Sequence, residues 1–206
     1  MSVLNKLASA LNRRDEVPNQ ELAEKIVRAN DRAAVKELVE NLANKDKRVQ
    51  SDCIKVLYEI GYRRPALIAP YYREFGKLLD SKTNRLVWGA MTALDSITLQ
   101  EPKGVYSLLG KILDVADRGS VITRDHALGI LVKLGTLKQH ADKCVPLVLE
   151  QLLACPNNQL PMYAEMTLPL VNEKNKAALQ KVLTRRMDGL EKESQKNRVA
   201  KVLKRL

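Results

Sequence analysis

Apolar residues recur along this chain with helical spacing, and the whole pattern then repeats. Four twelve-residue segments align without gaps, at 49–60, 86–97, 123–134 and 160–171. Their apolar positions lie three, four and seven residues from one small residue, which makes one stripe of a helix with about 3.6 residues per turn. A fifth, looser copy occupies 195–206. The pattern predicts five helices that each bury one face.

The small residue in each copy sets the period of the repeat. It is Cys53, Ala90, Ala127 and Ala164, and successive positions differ by 37 residues (90 − 53, 127 − 90 and 164 − 127). A fixed period between about 20 and 50 residues is the signature of stacked structural repeats. The chain is therefore predicted to be a repeat array rather than a single irregular core.

A second apolar run of helical spacing precedes each of the four copies. The four runs span 33–44, 68–81, 105–116 and 145–155. Pro65 and Pro102 each fall 12 residues after a small residue, where a proline can open the next helix. Each repeat is therefore predicted to be a helix pair. No run alternates with the period of a strand.

Several residues of this pattern resemble the HEAT repeat family. Pro70 and Pro146 fit the proline of the first helix, and Asp46 fits the acidic turn before the second. The arginine that follows in the family is matched by Arg124 in the third copy, whereas Gln50 stands there in the first. The resemblance implies stacked helix pairs whose second helices line a concave surface.

The predicted fold class is all-α: a right-handed α-α superhelix, or HEAT-like solenoid, of about five helix pairs. An N-terminal helical cap over 1–30, with helices near 2–13 and 19–29, precedes an array over 31–206. The two parts are expected to form one continuous domain, because a single helix pair cannot bury its apolar face alone.

The columns opposite the apolar stripe of each second helix are predicted to face outward and to form a binding surface. Its candidate residues are Arg48, Lys55, Tyr58, Arg85, Trp88, Asp95, Met162 and Met166. Ile122, Gly129 and Val132 occupy the same columns in the third copy. One alternative is that Met162 and Met166 mark a rotated helix between two prolines.

Trp88 is the only tryptophan, and its column predicts partial exposure. The other copies place Ser51, Asp125, Met162 and Asn197 there, which a core position would not accept. Trp88 then either contacts a ligand or packs on the neighbouring repeat with Arg85 stacked on its ring. Asp95, on the same face, is expected to be a solvated carboxylate.

Charge adds a second candidate surface. The chain has 35 Lys and Arg against 24 Asp and Glu, a net charge of +11. Residues 173–206 hold 11 of these basic and 4 of these acidic residues, or +7 (11 − 4). The C-terminal patch consists of Arg198, Lys201, Lys204 and Arg205. It could contact phosphates or simply keep the last helix soluble.

Signals for catalysis or for a metal are weak. His126 and His140 are the only histidines, and no Cys-x-x-Cys, glycine-rich phosphate loop or nucleophile elbow occurs. We expect no catalytic residue, no metal and no cofactor. The absence of a long apolar run or signal-like start, together with three cysteines in apolar contexts, predicts a cytoplasmic protein with buried free thiols and no membrane contact.

Two functions remain open at this point. The leading interpretation is a non-catalytic scaffold that binds a protein partner through its concave face. The alternative is a nucleic-acid-binding protein that resembles the HEAT-like alkylpurine DNA glycosylases, in which Trp88, Asp95 and Arg124 would hold DNA. Thr92 stands where that family has its aspartate, so the resemblance implies the fold without the catalysis.

Overall fold

The computed structural model describes residues 2–206, and every regular element within that range is a helix. The α-helices in the first part are α1 Val17–Ala29, α2 Arg32–Glu40, α3 Lys47–Arg63, α4 Tyr72–Leu78, α5 Asn84–Ile97, α6 Pro102–Ser107 and α7 Leu109–Arg118. Those that follow are α8 Val121–Gly135, α9 Lys138–Ala154, α10 Leu160–Met166, α11 Lys176–Met187 and α12 Glu193–Leu203. Short 3-10 turns lie at Val3–Lys6, Asn41–Ala43, Pro65–Leu67, Ala69–Tyr71 and Leu168–Leu170.

The chain forms two compact units, one ending at His126 and one running Ala127–Leu206. In the first unit α3 packs against α1, α2 and α5, and α5 packs against α4. In the second unit α11 packs on α9, and α12 packs on α10 and α11.

Local side chains start several helices where the sequence supplies them. The Asp31 carboxylate accepts the Ala34 N–H at α2, Asp46 accepts the Arg48 N–H at α3, and Glu101 accepts the Gly104 N–H at α6. Each bond satisfies one of the amides that a helix start leaves without a partner. Pro102 lies in the first turn of α6, as predicted, whereas Pro65 opens a 3-10 turn.

The predicted apolar stripe is confirmed in α3 and α5. Its members are fully buried: Cys53, Leu57, Ile60, Ala90, Leu94 and Ile97. The two helices also approach each other through glycine. A Cβ on Gly89 would lie 2.4 Å from Ile54 Cγ1, and one on Gly61 would lie 2.2 Å from Ser96 Oγ. These glycines therefore set the close spacing of α3 and α5.

The stripe is also buried in α8 but fails in the fourth copy. Ala127, Leu131 and Leu134 are buried, whereas α10 ends at Met166 and leaves Leu168 in a 3-10 turn. Pro169 explains the early end, since a proline disfavours helical backbone in the residue before it. Leu168 and Val171 are consequently only half-buried.

Two terminal predictions need correction. Residues 2–13 were expected to form a helix, but only the 3-10 turn Val3–Lys6 is regular, and the following turns end at Asn12 with φ 54°. Side chains from elsewhere hold this segment: the Ala8 N–H donates to Asn19, and the Ser9 N–H donates to Asp52. At the other end, Leu203 and Leu206 were predicted to be buried. Both are only half-buried, because Val202 faces the core.

The three cysteines are free thiols, and all of them are buried, as predicted. Burial raises the pKa of Cys53 to about 12 and that of Cys144 to about 11, and it raises the pKa of Cys155 as well. Since the thiolate is the reactive species, a raised pKa and a closed environment both slow its chemistry. Among residues 2–206 no group of histidine, cysteine and acidic side chains could hold a metal ion. Within the same range no helix is long and apolar enough to cross a membrane.

We therefore expect all three thiols to resist an aromatic disulfide reagent at about pH 8 in the native protein. The same reagent should titrate three thiols at once in guanidinium. Absorbance at completion counts the thiols, and the native rate gives their accessibility. A thiol that reacts at the denatured rate in the native protein would contradict the burial described above.

Candidate functional site

The candidate site is a cavity of about 230 Å³ in the first unit, between α3 and α5, which we call the Trp88 cavity. Six residues that define its walls are Ile54, Tyr58, Arg85, Trp88, Gly89 and Ile122. The inward stripe of α5, including Ala90 and Leu94, turns Trp88 toward this space. Trp88 is half-buried, so the predicted partial exposure is confirmed.

Arg85 does not stack on the Trp88 ring among the residues described. Its guanidinium donates instead to Glu16 Oε1 at 2.7 Å, across 69 residues of sequence. Glu16 lies just before α1, so this bond ties the start of α1 to the first turn of α5. Arg85 nevertheless lines the cavity, with about half of its side chain exposed.

A chain of alternating charges runs from this point along α3. Glu16 Oε2 accepts from Lys55 Nζ at 2.7 Å, and Lys55 Nζ also donates to Glu59 Oε1 at 2.9 Å. Glu59 in turn accepts from Arg63, whose other nitrogen lies 3.6 Å from Glu24 on α1. The chain thus links α1, α3 and α5, and its two central members, Lys55 and Glu59, are largely withdrawn from water.

Lys55 was predicted to face outward, and this prediction is wrong. Lys55 is only 6% exposed, because Glu16 and Glu59 cover its ammonium group and the Tyr58 ring lies 4.7 Å from it. Burial would lower the pKa of Lys55, but the hydrogen bonds to Glu16, Tyr58 and Glu59 outweigh it and raise that pKa. Lys55 supports the cavity wall rather than presenting a charge to solvent.

Thr92 and Asp95 also depart from the predicted outward face. Thr92 is 6% exposed, and the Asp95 side chain is 16% exposed. Both bind His126, at the start of α8: Nε2 lies 2.9 Å from Thr92 Oγ1, and Nδ1 lies 2.9 Å from Asp95 Oδ2. Asp95 is therefore not a simply solvated carboxylate. The burial of both side chains follows from a partner that the pattern of α5 alone could not reveal.

The order Asp95–His126–Thr92 resembles that of a nucleophilic triad, but its hydrogen bonds point to a structural role. Thr92 Oγ1 donates its proton to the Trp88 carbonyl at 2.9 Å. With its proton directed to that carbonyl, the hydroxyl presents only a lone pair to the histidine ring. A nucleophilic hydroxyl must instead donate to the histidine. The arrangement pins α5 to the second turn of α8 beside the cavity.

The third copy corrects the predicted outward face again. Gly129 and Val132 were placed in outward columns, yet both are buried. The reason is that α8 is apolar on nearly every side, with Leu128 and Ile130 buried as well as its stripe. A helix that is apolar all round is enclosed by its neighbours. Ile122, in the first turn, does stay exposed and lines the Trp88 cavity.

A second, larger cavity of about 580 Å³ adjoins the first, and we call it the basic pocket. Its cationic lining residues are Arg13, Arg14, Lys47, Arg48 and Arg85. It shares Glu16, Ser51 and Arg85 with the Trp88 cavity, so the two cavities are adjacent, and we call them together the groove. The repeat columns predicted Arg48 and Arg85 as surface residues, but they did not predict Arg13, Arg14 or Lys47. The basic runs 12–14 and 45–48 were the available signal.

The remaining candidates belong to the second unit. Met162 and Met166 are half-buried on the short helix α10, between the two prolines. In the C-terminal patch, Arg198 forms a two-pronged ion pair with Glu165, at 2.8 and 2.7 Å. Lys201, Lys204 and Arg205 are exposed. All four patch cations are therefore exposed, and Arg198 is the one with an ion-pair partner among the contacts described.

Comparison with known proteins gives the fold its context. No protein-family model matches the sequence, and no curated protein matches it. Among solved structures, an engineered protein from the Northeast Structural Genomics Consortium is similar over 100% of this chain and 96% of its own, with a TM-score of 0.67 at 17% identity.

Two designed armadillo repeat proteins are similar to the same degree. One, solved in complex with the peptide (KR)4, matches 90% of this chain and 86% of its own, with a TM-score of 0.67 at 14% identity. The other matches 98% of this chain and 99% of its own, with a TM-score of 0.67 at 13% identity. At these identities the likeness concerns the fold, and it confirms the predicted all-α helical repeat solenoid.

The charge chain leads to a stability prediction with a matched control. Lys55→Met should destabilise the protein by about 2–3 kcal/mol, because it leaves a buried carboxylate short of a partner. Lys36→Met removes an equally spaced pair, Lys36–Glu40, whose side chains are 68% and 62% exposed. That change should cost less than about 0.5 kcal/mol. Urea unfolding of both variants measures the difference, and equal midpoints would contradict the assignment.

The same chain predicts how stability depends on pH. Burial would raise the pKa of Glu59, but hydrogen bonds from Arg63 and Lys55 outweigh it and hold that pKa below its ordinary value of 4.5. The stabilisation from Glu59 is therefore present above about pH 4.5 and is lost as the pH falls through the lowered pKa. Glu59→Gln should flatten this acid limb in melting curves recorded from pH 3 to pH 7. An unchanged limb would show that other carboxylates cause the acid sensitivity.

Proposed function

We propose that the protein is a non-catalytic repeat scaffold that binds an extended segment of a partner protein. The Trp88 cavity receives one apolar side chain of that segment. The observation that carries this proposal is the half-buried Trp88 at an open cavity with Ile54 and Ile122 in its walls. Buried aromatic anchors in pockets supply much of the affinity in protein recognition.

Two further observations support it. The cavity walls are fixed, since the Glu16–Lys55–Glu59 chain and the His126 bonds hold α3, α5 and α8 around it. A preorganised site loses little entropy when it binds. In addition, one of the structurally similar designed repeat proteins was solved with a bound peptide. That likeness is of fold alone, and it supports the proposal by analogy.

We infer a HEAT-like subtype for the repeats, although both designed relatives described above are armadillo repeats. Gln50 and Arg124 occupy the same column of the repeat, and both side chains donate to backbone carbonyls of the preceding turn. Gln50 donates to the Asn44 carbonyl at 2.7 Å, and Arg124 donates to the Ala116 and Gly119 carbonyls at 3.2 and 3.3 Å. Each closes the turn before a second helix. In this proposal residues 1–30 cap an array over 31–206.

Nucleic-acid binding has less support. The net charge of +11 favours it, as do the exposed Lys201, Lys204 and Arg205. However, Arg124 directs its guanidinium to backbone carbonyls, and Arg198 binds Glu165. The glycosylase resemblance also assigns Asp95 to DNA binding, but the Asp95 carboxylate binds His126 within the protein.

Peptides selected from a random display library should bind with a shift of the Trp88 fluorescence to shorter wavelength, because the indole loses water. Trp88→Ala should weaken their binding at least about tenfold, as expected for an interface anchor. Polarisation of a labelled peptide measures both proteins. Leu99→Ala is the control, since Leu99 is 53% exposed and lies outside the cavity. Selected peptides that bind Trp88→Ala as tightly as the parent protein would overturn the proposal.

A further inference from the structure

The basic pocket carries an excess of positive charge that its own acids do not neutralise. Five cations line it against three carboxylates, Asp15, Glu16 and Asp52, a difference of +2 (5 − 3). Arg14 and Lys47 are exposed and form no ion pair among the residues described. Arg48 pairs with Asp46, which lies outside the lining.

Each of the three carboxylates is already engaged within the protein. Asp15 accepts two bonds from Arg13, both at 2.9 Å. Glu16 is shared between Arg85 and Lys55. Asp52 is buried, and it accepts from Asn19 Nδ2 at 2.8 Å and from the Ser9 N–H at 2.7 Å. Asp15 and Glu16 are therefore neutralised by their own cations, whereas Asp52, whose two donors are uncharged, offsets part of the charge of Arg14 and Lys47 and leaves the pocket positive.

The fold adds to this positive potential. Lys47 and Arg48 lie in the first turn of α3, Arg85 lies in the first turn of α5, and Glu16 immediately precedes α1. Three helices of 17, 14 and 13 residues thus begin at one cavity. The start of a helix carries a partial positive charge. Asp46 and Asp15 already meet this charge at α3 and α1, whereas no side chain among residues 2–206 caps α5, whose start favours the same sign of ligand as the exposed cations.

We infer that the basic pocket binds acidic side chains of the partner segment whose apolar residue occupies the Trp88 cavity. This inference rests on the proposed function, and it specifies the chemistry of the partner: Asp or Glu residues next to an apolar one. The two cavities share Glu16, Ser51 and Arg85, so one extended segment reaches both. Arg14 and Lys47 receive the carboxylates without giving up an existing ion pair.

The inference also separates this chain from its structural relative. The peptide seen with that designed armadillo protein, (KR)4, consists of basic residues only. The groove described here has the charge that repels such a peptide and attracts its inverse, (DE)4. The two peptides have equal length and opposite charge, which makes them a matched pair of probes.

Fluorescein-labelled (DE)4 and (KR)4 should be titrated with the full chain at about 50 and about 200 mM salt. We expect (DE)4 to bind and to weaken at the higher salt, and (KR)4 not to bind. Arg14→Glu combined with Lys47→Glu should weaken (DE)4 binding at least about tenfold. The control, Lys6→Glu combined with Lys25→Glu, changes the net charge equally at exposed positions outside the pocket. It should change the affinity for (DE)4 less than about twofold. Circular dichroism confirms that both variants are folded.

The possible outcomes distinguish this inference from the proposed function. Loss of (DE)4 binding in both double variants would show diffuse attraction and overturn the pocket. Display-selected peptides that need Trp88, with no binding of (DE)4, would overturn the acidic partner and leave the proposed function standing. Binding of (DE)4 that needs Arg14 and Lys47 would support the pocket, and it should tolerate Trp88→Ala because (DE)4 has no apolar side chain for the Trp88 cavity. Binding of a short DNA duplex that needs the pocket, without binding of (DE)4, would overturn the inference in favour of phosphate recognition.

Discussion

The first unit depends on one constraint, which is that α3 is packed on both sides, by α1 and by α5. Charged side chains on the faces of α3 that these two helices cover are withdrawn from water, so each of them needs a partner. Asp52 meets Asn19, Lys55 meets Glu16 and Glu59, and Glu59 meets Arg63. These bonds decide where α1 begins and how α5 lies, and the walls of the groove follow from them.

The placement of an apolar cavity next to a cationic one follows from the same packing. Gly89 lets α5 lie close to Ile54 on α3. The Trp88 cavity lies beside this contact, and both residues line it. Toward the helix starts the packing opens further, and there the charged residues of the first turns line the wall. An apolar site and a cationic site thus lie side by side, joined by the residues that line both cavities.

The repeat pattern predicted the core but not the polar contacts. An apolar stripe is a property of one helix, so Cys53 and Ala90 could be placed in the core from spacing alone. The burial of Lys55 and Thr92 arises from Glu16 and His126, which lie 39 (55 − 16) and 34 residues away in sequence. No periodicity records such a pairing. The early end of α10 is a different kind of error. Pro169 is present in the sequence, but the regular repeat period led to the prediction of a full-length helix in the fourth copy.

Glu16 has a consequence for the kinetics of any acidic partner. It is itself an anion that belongs to the groove, held by Arg85 and Lys55 where the two cavities meet. A carboxylate that takes the Arg85 nitrogen bound by Glu16 displaces it, and when that carboxylate leaves, Glu16 returns at once because it is tethered. The protein thus contains its own competitor. In the proposed scaffold, such a competitor shortens the residence time of an acidic ligand at Arg85.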